Sequence, residues 1–236
     1  MKSNLRIIVT GLIAQHPHMG GVAWDYLQYA VGLRRLGHDV YYFEDSGEWP
    51  YHLDKDDTTD DWIVKDPKHN VSHLDAVMHR FGLGDRWAYH FPHGKQWYGL
   101  SDTKRQSVID SADLVINVSG TIEHPEHYRS AARLAYIDSD PLFTQVKYLQ
   151  KKGRLESLID LHDITFSFGE SFSENMPLTG HQWRPTRHPM VLDEWDPRPP
   201  AGDTYSTVMN WTSYEPIEFE GRHYGQKDAE FKRFLN

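Results

Sequence analysis

Short runs of β-branched and aromatic residues alternate along this chain with segments whose apolar positions recur every three or four residues. That alternation predicts strands separated by helices, an α/β order. Leu5-Arg6-Ile7-Ile8-Val9-Thr10 reads as a strand that ends at Gly11. Gly20-Gly21 opens a helix in which Val22, Tyr26, Leu27, Ala30, Leu33 and Leu36 form one apolar stripe, and Gly37 follows its last turn. His38 to Phe43 is the second strand, with Glu44 and Asp45 at its carboxyl end. A strand, crossover helix and strand of these lengths make a right-handed βαβ unit and hence a parallel sheet.

Further along, residues 46–72 read as loop, with Asp54, Asp56, Asp57, Asp60 and Asp61 clustered in it. A helix is expected from Ser72, as its N-cap, to Phe81, and Trp87 to Leu100 reads as a surface loop with aromatic anchors. Helices are expected over Ser101–Ser111, Glu126–Ala132, Leu142–Lys152 and Leu155–Leu161, and strands over Leu114–Val118, Leu134–Ile137 and Ile164–Phe168. Pro177, Gly180, Pro185 and Pro189 make Ser171–Trp195 irregular. The fold class is therefore α/β, a Rossmann-like open parallel sheet flanked by helices over residues 1–195. A stiff Pro-rich linker at 196–203 leads to the start of a second α/β domain at 204–236, with a strand at Ser206–Trp211 and a helix from Asp228 to Leu235.

Composition narrows the function classes. The 236 residues are 39% hydrophobic and 25% charged, ordinary for a folded chain. A formal charge of −9 provides no general attraction for nucleic acid or anionic membrane. The absence of cysteine excludes disulfides and thiolate metal sites and suits a reducing, cytoplasmic setting. No secretory leader and no membrane span are expected from the short apolar runs. Fifteen histidines and eight tryptophans suit a pocket for sugars or small molecules, or simply an aromatic core.

Ligands of open α/β sheets bind outside the carboxyl ends of the strands. At that edge Gly20-Gly21 lets a ligand approach the amino end of a helix, where a phosphate or diphosphate is the natural guest. A glycine pair before a helix also serves simply to make the turn. No G-x-G-x-x-G follows the first strand and no Walker A sequence occurs. His16 and His18 share the adjoining loop. Either, paired with Glu44, Asp45, Glu123 or Asp138, has the chemistry of a general base. Asp138-Ser139-Asp140 after a strand has the form of a divalent-cation site, or of a cap for the helix after Pro141. His124-x-x-His127 lacks the H-E-x-x-H form.

The run Gly20-Gly21-Val22-Ala23-Trp24-Asp25-Tyr26-Leu27-Gln28-Tyr29, continued by Gly32-Leu33-Arg34-Arg35-Leu36-Gly37-His38-Asp39-Val40, resembles the amino-terminal domain of bacterial GT-B glycosyltransferases. Asp138 to Gln145, Phe168-Gly169-Glu170 and Trp183 to Arg187 look like later parts of that domain. The resemblance implies an acceptor-side domain facing a donor-binding domain, which here would begin near Thr204 and lie mostly beyond Asn236. It implies a nucleotide sugar as co-substrate, no further cofactor or metal, and an acceptor of unknown identity. It matches Gly20 and Gly21 to the donor diphosphate and His16 or His18 to the base. Trp24, Asn117, Ser119 and Glu123 are then the expected substrate contacts. The competing readings are a single-domain metal-dependent glycosyltransferase using Asp138 and Asp140, and a non-catalytic nucleotide- or ligand-binding module.

Overall fold

The computed structural model describes residues 4–51, 64–171, 177–195, 202–204, 209, 211–212, 215–225 and 227–234. Its frame is one eight-stranded sheet, β1 (Arg6–Thr10), β2 (Asp39–Glu44), β3 (Trp87–Phe91), β4 (Gln96–Gly99), β5 (Leu114–Val118), β6 (Leu134–Asp138), β7 (Ile164–Ser167) and β8 (Trp183–Pro185). The order across the sheet is β4-β3-β2-β1-β5-β6-β7-β8, and every pair is parallel except β3 with β4. The chain reverses its direction of travel between β1 and β5, which makes that crevice the switch point of a Rossmann-like fold.

Both faces of the centre are buried, as parallel sheets require. Ile7 and Val9 of β1 pack with α1 (Gly20–Arg35) and α2 (Lys68–Arg80), whereas Ile8 joins Tyr41, Phe43, Val115 and α3 (Asp102–Asp110) on the other face. The two-residue period of a strand makes this division. Two shorter helices, α4 (Phe143–Leu149) and α5 (Leu155–Asp160), connect β6 to β7. Ser101 caps α3 by accepting from the Lys104 amide. Among the described residues no helix is long and apolar enough to cross a membrane.

Several expectations need correction. The stretch Trp87–Leu100 is a β-hairpin on the sheet edge, because Trp87, Tyr89 and Phe91 alternate into one face of the core. Helix α2 begins at Lys68, so Ser72 lies within it and is not its N-cap. Its first turn is tied down by Asn70, whose Nδ2 donates to the carbonyls of Ala14 (2.8 Å) and Tyr51 (3.1 Å). The expected helix Glu126–Ala132 is a single 3₁₀ turn, Pro125–Tyr128.

The α1 stripe is also wider than its periodicity implies. Residues Tyr26 to Val31 are buried consecutively, while Leu36 is 73% exposed. The cause is a strap, residues 186–195, that crosses the outer side of the helix. The Val191 amide donates to Oε1 of the buried Gln28 at 2.6 Å. Arg35 pairs with Asp193 at 3.3 Å and with Glu194, and Trp24 meets Trp195 at 5.5 Å between ring centroids. The stretch Ser171–Trp195, expected to be irregular, holds β8 before the strap and a 3₁₀ turn at Leu192–Glu194 within it.

In the tail, β9 (Ile217–Phe219) and β10 (Arg222–Tyr224) form an antiparallel hairpin. Gln150 donates to the Glu218 carbonyl at 2.6 Å. Helix α6 covers Lys227–Glu230, and a 3₁₀ turn follows at Phe231–Phe234. The acidic cluster at 54–61 and most of the expected strand Ser206–Trp211 lie outside the described residues.

Candidate functional site

The carboxyl edge at the switch point is tied together from below. Thr10 Oγ1 lies 2.6 Å from Thr121 Oγ1 and accepts from the Val118 amide at 3.3 Å. Asn117 is fully buried, its Oδ1 accepting from the Ile122 amide and its Nδ2 donating to His162 Nε2 at 3.1 Å. Burial pushes His162 down to about 4, so its neutral ring accepts from Asn117 while Nδ1 donates to the Leu158 carbonyl. Asn117 thus lies in the floor beneath the edge, away from a ligand's reach.

Above this floor a cavity of about 270 Å³ opens between α1 and the ends of β5, β6 and β7. Asp25, Tyr26, Ser119, Ser139, Phe168 and His188 line it. Gly11 ends β1 where a Cβ would stand 2.4 Å from the Tyr26 ring, so glycine there lets Tyr26 lie over the strand end. Ser119 adopts φ +58° and Gly120 φ +73°, a left-handed pair that turns the chain and sets Ser119 Oγ 2.6 Å from Ser139 Oγ. The strap brings in His188, whose Nε2 lies 3.1 Å from the Asp25 carbonyl and 3.5 Å from Asp25 Oδ1. The Asp25 side chain is 65% exposed and that of His188 34%, so both remain open to a ligand.

Helix α1 lines this cavity through Asp25 and Tyr26, in its second turn, and its amino end at Gly20 is not part of the lining. No side chain caps it, and its first turn holds no acid. A Cβ built on Gly20 or Gly21 meets nothing within 4 Å, so the space above these glycines is open. Neither glycine has positive φ, so the helix start itself does not require them.

The loop histidines lie elsewhere on the edge. His16 stacks on Tyr51 at 4.9 Å, and burial lowers its pKa. His18, at φ +64°, places Nε2 3.0 Å from His69 Nε2 and its ring 4.9 Å from that of His73. Neither lines the 270 Å³ cavity. Trp24 packs against Phe81 and Trp195, half-buried in the strap's aromatic cluster. Glu123 sits under Gly47, where a Cβ would fall 2.1 Å from its Oε2, and its Oε1 is 3.7 Å from Arg154 Nη1.

The strand-end acids serve the scaffold. Glu44 is completely buried, and its two oxygens accept from the amides of Ala14 (2.8 Å) and Gln15 (2.6 Å) and from Tyr42 Oη (3.0 Å). It pins the histidine loop and partners neither histidine. Burial outweighs these hydrogen bonds and pushes its carboxyl up to about 7. Asp45 accepts from Tyr128 Oη at 3.0 Å and lies 3.0 Å from His90 Nδ1. Asp138, also fully buried, accepts from the Asp140 amide, Thr144 Oγ1, Gln145 Nε2 and Ser167 Oγ at 2.7–2.9 Å. All its lone pairs have donors, so a cation would have to displace them; nor does Asp138 or Ser139 cap the helix, whose N-cap is Leu142, with Gln145 Oε1 accepting from the Leu142 amide at 2.6 Å.

A larger concavity, about 800 Å³, lies at the opposite, amino edge around Arg6, Asp39 and Arg86. Its charges pair with each other, Arg6 Nε to Asp39 Oδ2 at 2.7 Å and Arg86 to Asp39 Oδ1. That pairing leaves it without the convergent, unsatisfied groups of a binding site. Asp25 and His188 escape a reading of the sequence because 163 residues separate them. The Trp183–Arg187 run just before His188 entered the reading only through its resemblance to the GT-B domain. Comparisons of the chain with protein-family models, curated proteins and solved structures give no match.

Proposed function

We propose that this chain is the acceptor-side domain of a GT-B type glycosyltransferase. The observation that carries the reading is the Asp25–His188 pair at the rim of a 270 Å³ cavity on the carboxyl edge of a Rossmann-like sheet. A neutral imidazole that donates from Nε2 to the Asp25 carbonyl keeps its lone pair on Nδ1. It can then take the proton of an acceptor hydroxyl, with the Asp25 carboxylate steadying the positive ring that results. Tyr26 and Phe168 supply the apolar walls that sugar rings pack on, and Ser119 and Ser139 supply hydroxyls for their polar rims. The open, uncapped amino end of α1, in the turn before Asp25, suits the diphosphate of a nucleotide-sugar donor held chiefly by a second domain.

The first test is ligand-observed NMR on the whole chain with separate panels of glycosides and nucleotides. The expected result is a glycoside whose binding weakens at least tenfold in Tyr26→Ala. With nucleotide-sugar donor and the donor domain supplied, His188→Ala is expected to slow transfer by about 10²–10⁴, the usual contribution of a general base. Asp25→Asn should slow it less. Binding of nucleotides alone, with no glycoside engaged, would instead support a nucleotide-binding module, which the uncapped α1 also suits. Transfer unaffected by His188→Ala would remove the proposed base.

A further inference from the structure

His124-Pro125-Glu126-His127 follows β5 and forms the single 3₁₀ turn Pro125–Tyr128 with His124 in its cap position. Three residues per turn put positions i and i+3 on a common edge. Pro125 and Tyr128 share the inner edge and are buried, with Tyr128 Oη bonded to Asp45. His124 and His127 therefore share an outer edge, and their rings stand 4.9 Å apart at 35°. Glu126 reaches back to them, its Oε1 3.0 Å from His124 Nδ1. One donor atom from each of these three residues lies within 4.8 Å of the other two. Among the described residues no other trio of His, Asp or Glu meets that condition, the crowded His18, His69 and His73 included.

We propose that His124, Glu126 and His127 bind a divalent transition-metal ion, with zinc the best fit. Two imidazoles and a carboxylate are a nitrogen–oxygen set suited to zinc, whose bonds to these donors are about 2.0–2.2 Å. Small side-chain rotations of the exposed Glu126 and His127 close the remaining gap. Calcium and magnesium want six or more oxygens and have no such set here. The anchored turn holds the donors near their positions before the ion arrives, so little further ordering opposes binding. Glu123 Oε2 lies 3.7 Å from His124 Nε2, the place from which an outer carboxylate orients a ligating imidazole. Arg154 holds that residue in turn, donating to its carbonyl at 2.7 Å. The site stands apart from the 270 Å³ cavity, so it is independent of the sugar-transfer reading.

Zinc is titrated calorimetrically into the whole chain, with magnesium as the comparison ion, and cobalt serves as a spectroscopic substitute. Wild type is expected to take up zinc but not magnesium, and to show visible cobalt absorption. His127→Ala and His124→Ala should each remove one equivalent of zinc and that absorption, with an unchanged circular dichroism spectrum showing that the fold persists. Glu123→Gln should weaken the same equivalent by about 10-fold, as outer-shell changes do. His69→Ala should change neither stoichiometry nor affinity. Wild-type stoichiometry and affinity in His127→Ala, or loss of the zinc in His69→Ala, would overturn the assignment.

Discussion

Asp138→Ala is expected to lower the unfolding free energy by roughly 3–4 kcal/mol, the scale of removing the acceptor of a buried charged hydrogen-bond network. The substitution leaves the Asp140 amide, Thr144 Oγ1, Gln145 Nε2 and Ser167 Oγ without their shared acceptor. Three elements lose a common anchor at once, the end of β6, the start of α4 and the end of β7. Asp138→Asn should lose less, since one oxygen still accepts while its amide group faces donors. Urea unfolding of the two variants measures the difference. A loss below about 1 kcal/mol for Asp138→Ala would mean that the network is not what fixes this corner. Manganese is expected to shift the unfolding of wild type and of Asp138→Ala by the same amount, because the Asp138 oxygens already have four donors and offer it no site.

Glu44→Ala is the second large effect, about 3 kcal/mol, because it strands the Ala14 and Gln15 amides in the core. This loss should depend on pH in a defined direction. The folded carboxyl is raised to about 7 from an ordinary value of 4.5, so the native state holds its proton more tightly than the unfolded chain. The resulting stabilisation is complete below pH 4.5 and disappears as pH rises through 7. The gap between wild type and Glu44→Ala should therefore be widest at about pH 4 and narrow by up to roughly 3 kcal/mol at pH 8. Urea midpoints at these two pH values test it, and a gap that widens with pH contradicts the proton assignment. The same variant should loosen residues 12–19, raising amide exchange across the loop that carries His16 and His18.

The sequence is most legible where local signals and tertiary packing agree. β1, α1 and β2 lie within a residue or two of the positions read from periodicity and from Gly37, and the parallel pairing follows from their spacing. Trp87–Leu100 misleads because its Trp, Tyr, His and Gly content resembles a surface loop with aromatic anchors. The period-two placement of Trp87, Tyr89 and Phe91 was the better guide. Glu44 and Asp45 stand where strand-end acids meet ligands in many α/β folds, yet their partners are Tyr42, Tyr128 and loop amides that no linear pattern announces. The edge that should hold a site was legible from topology. Its candidate pair was not, since neither Asp25 nor His188 carries a local signature and their meeting depends on the strap.

That strap also has a consequence for the order of folding. The βα units beside β1 can assemble from contacts close in sequence, whereas the strap joins residues separated by 163 positions and has nothing to grip until α1 is seated on the sheet. Its docking is therefore expected late in folding. The Asp25–His188 pair comes into being only at that step, so a partly folded chain can build its sheet and still lack the site. If the proposed function holds, transfer would then report completion of the fold, not merely its beginning.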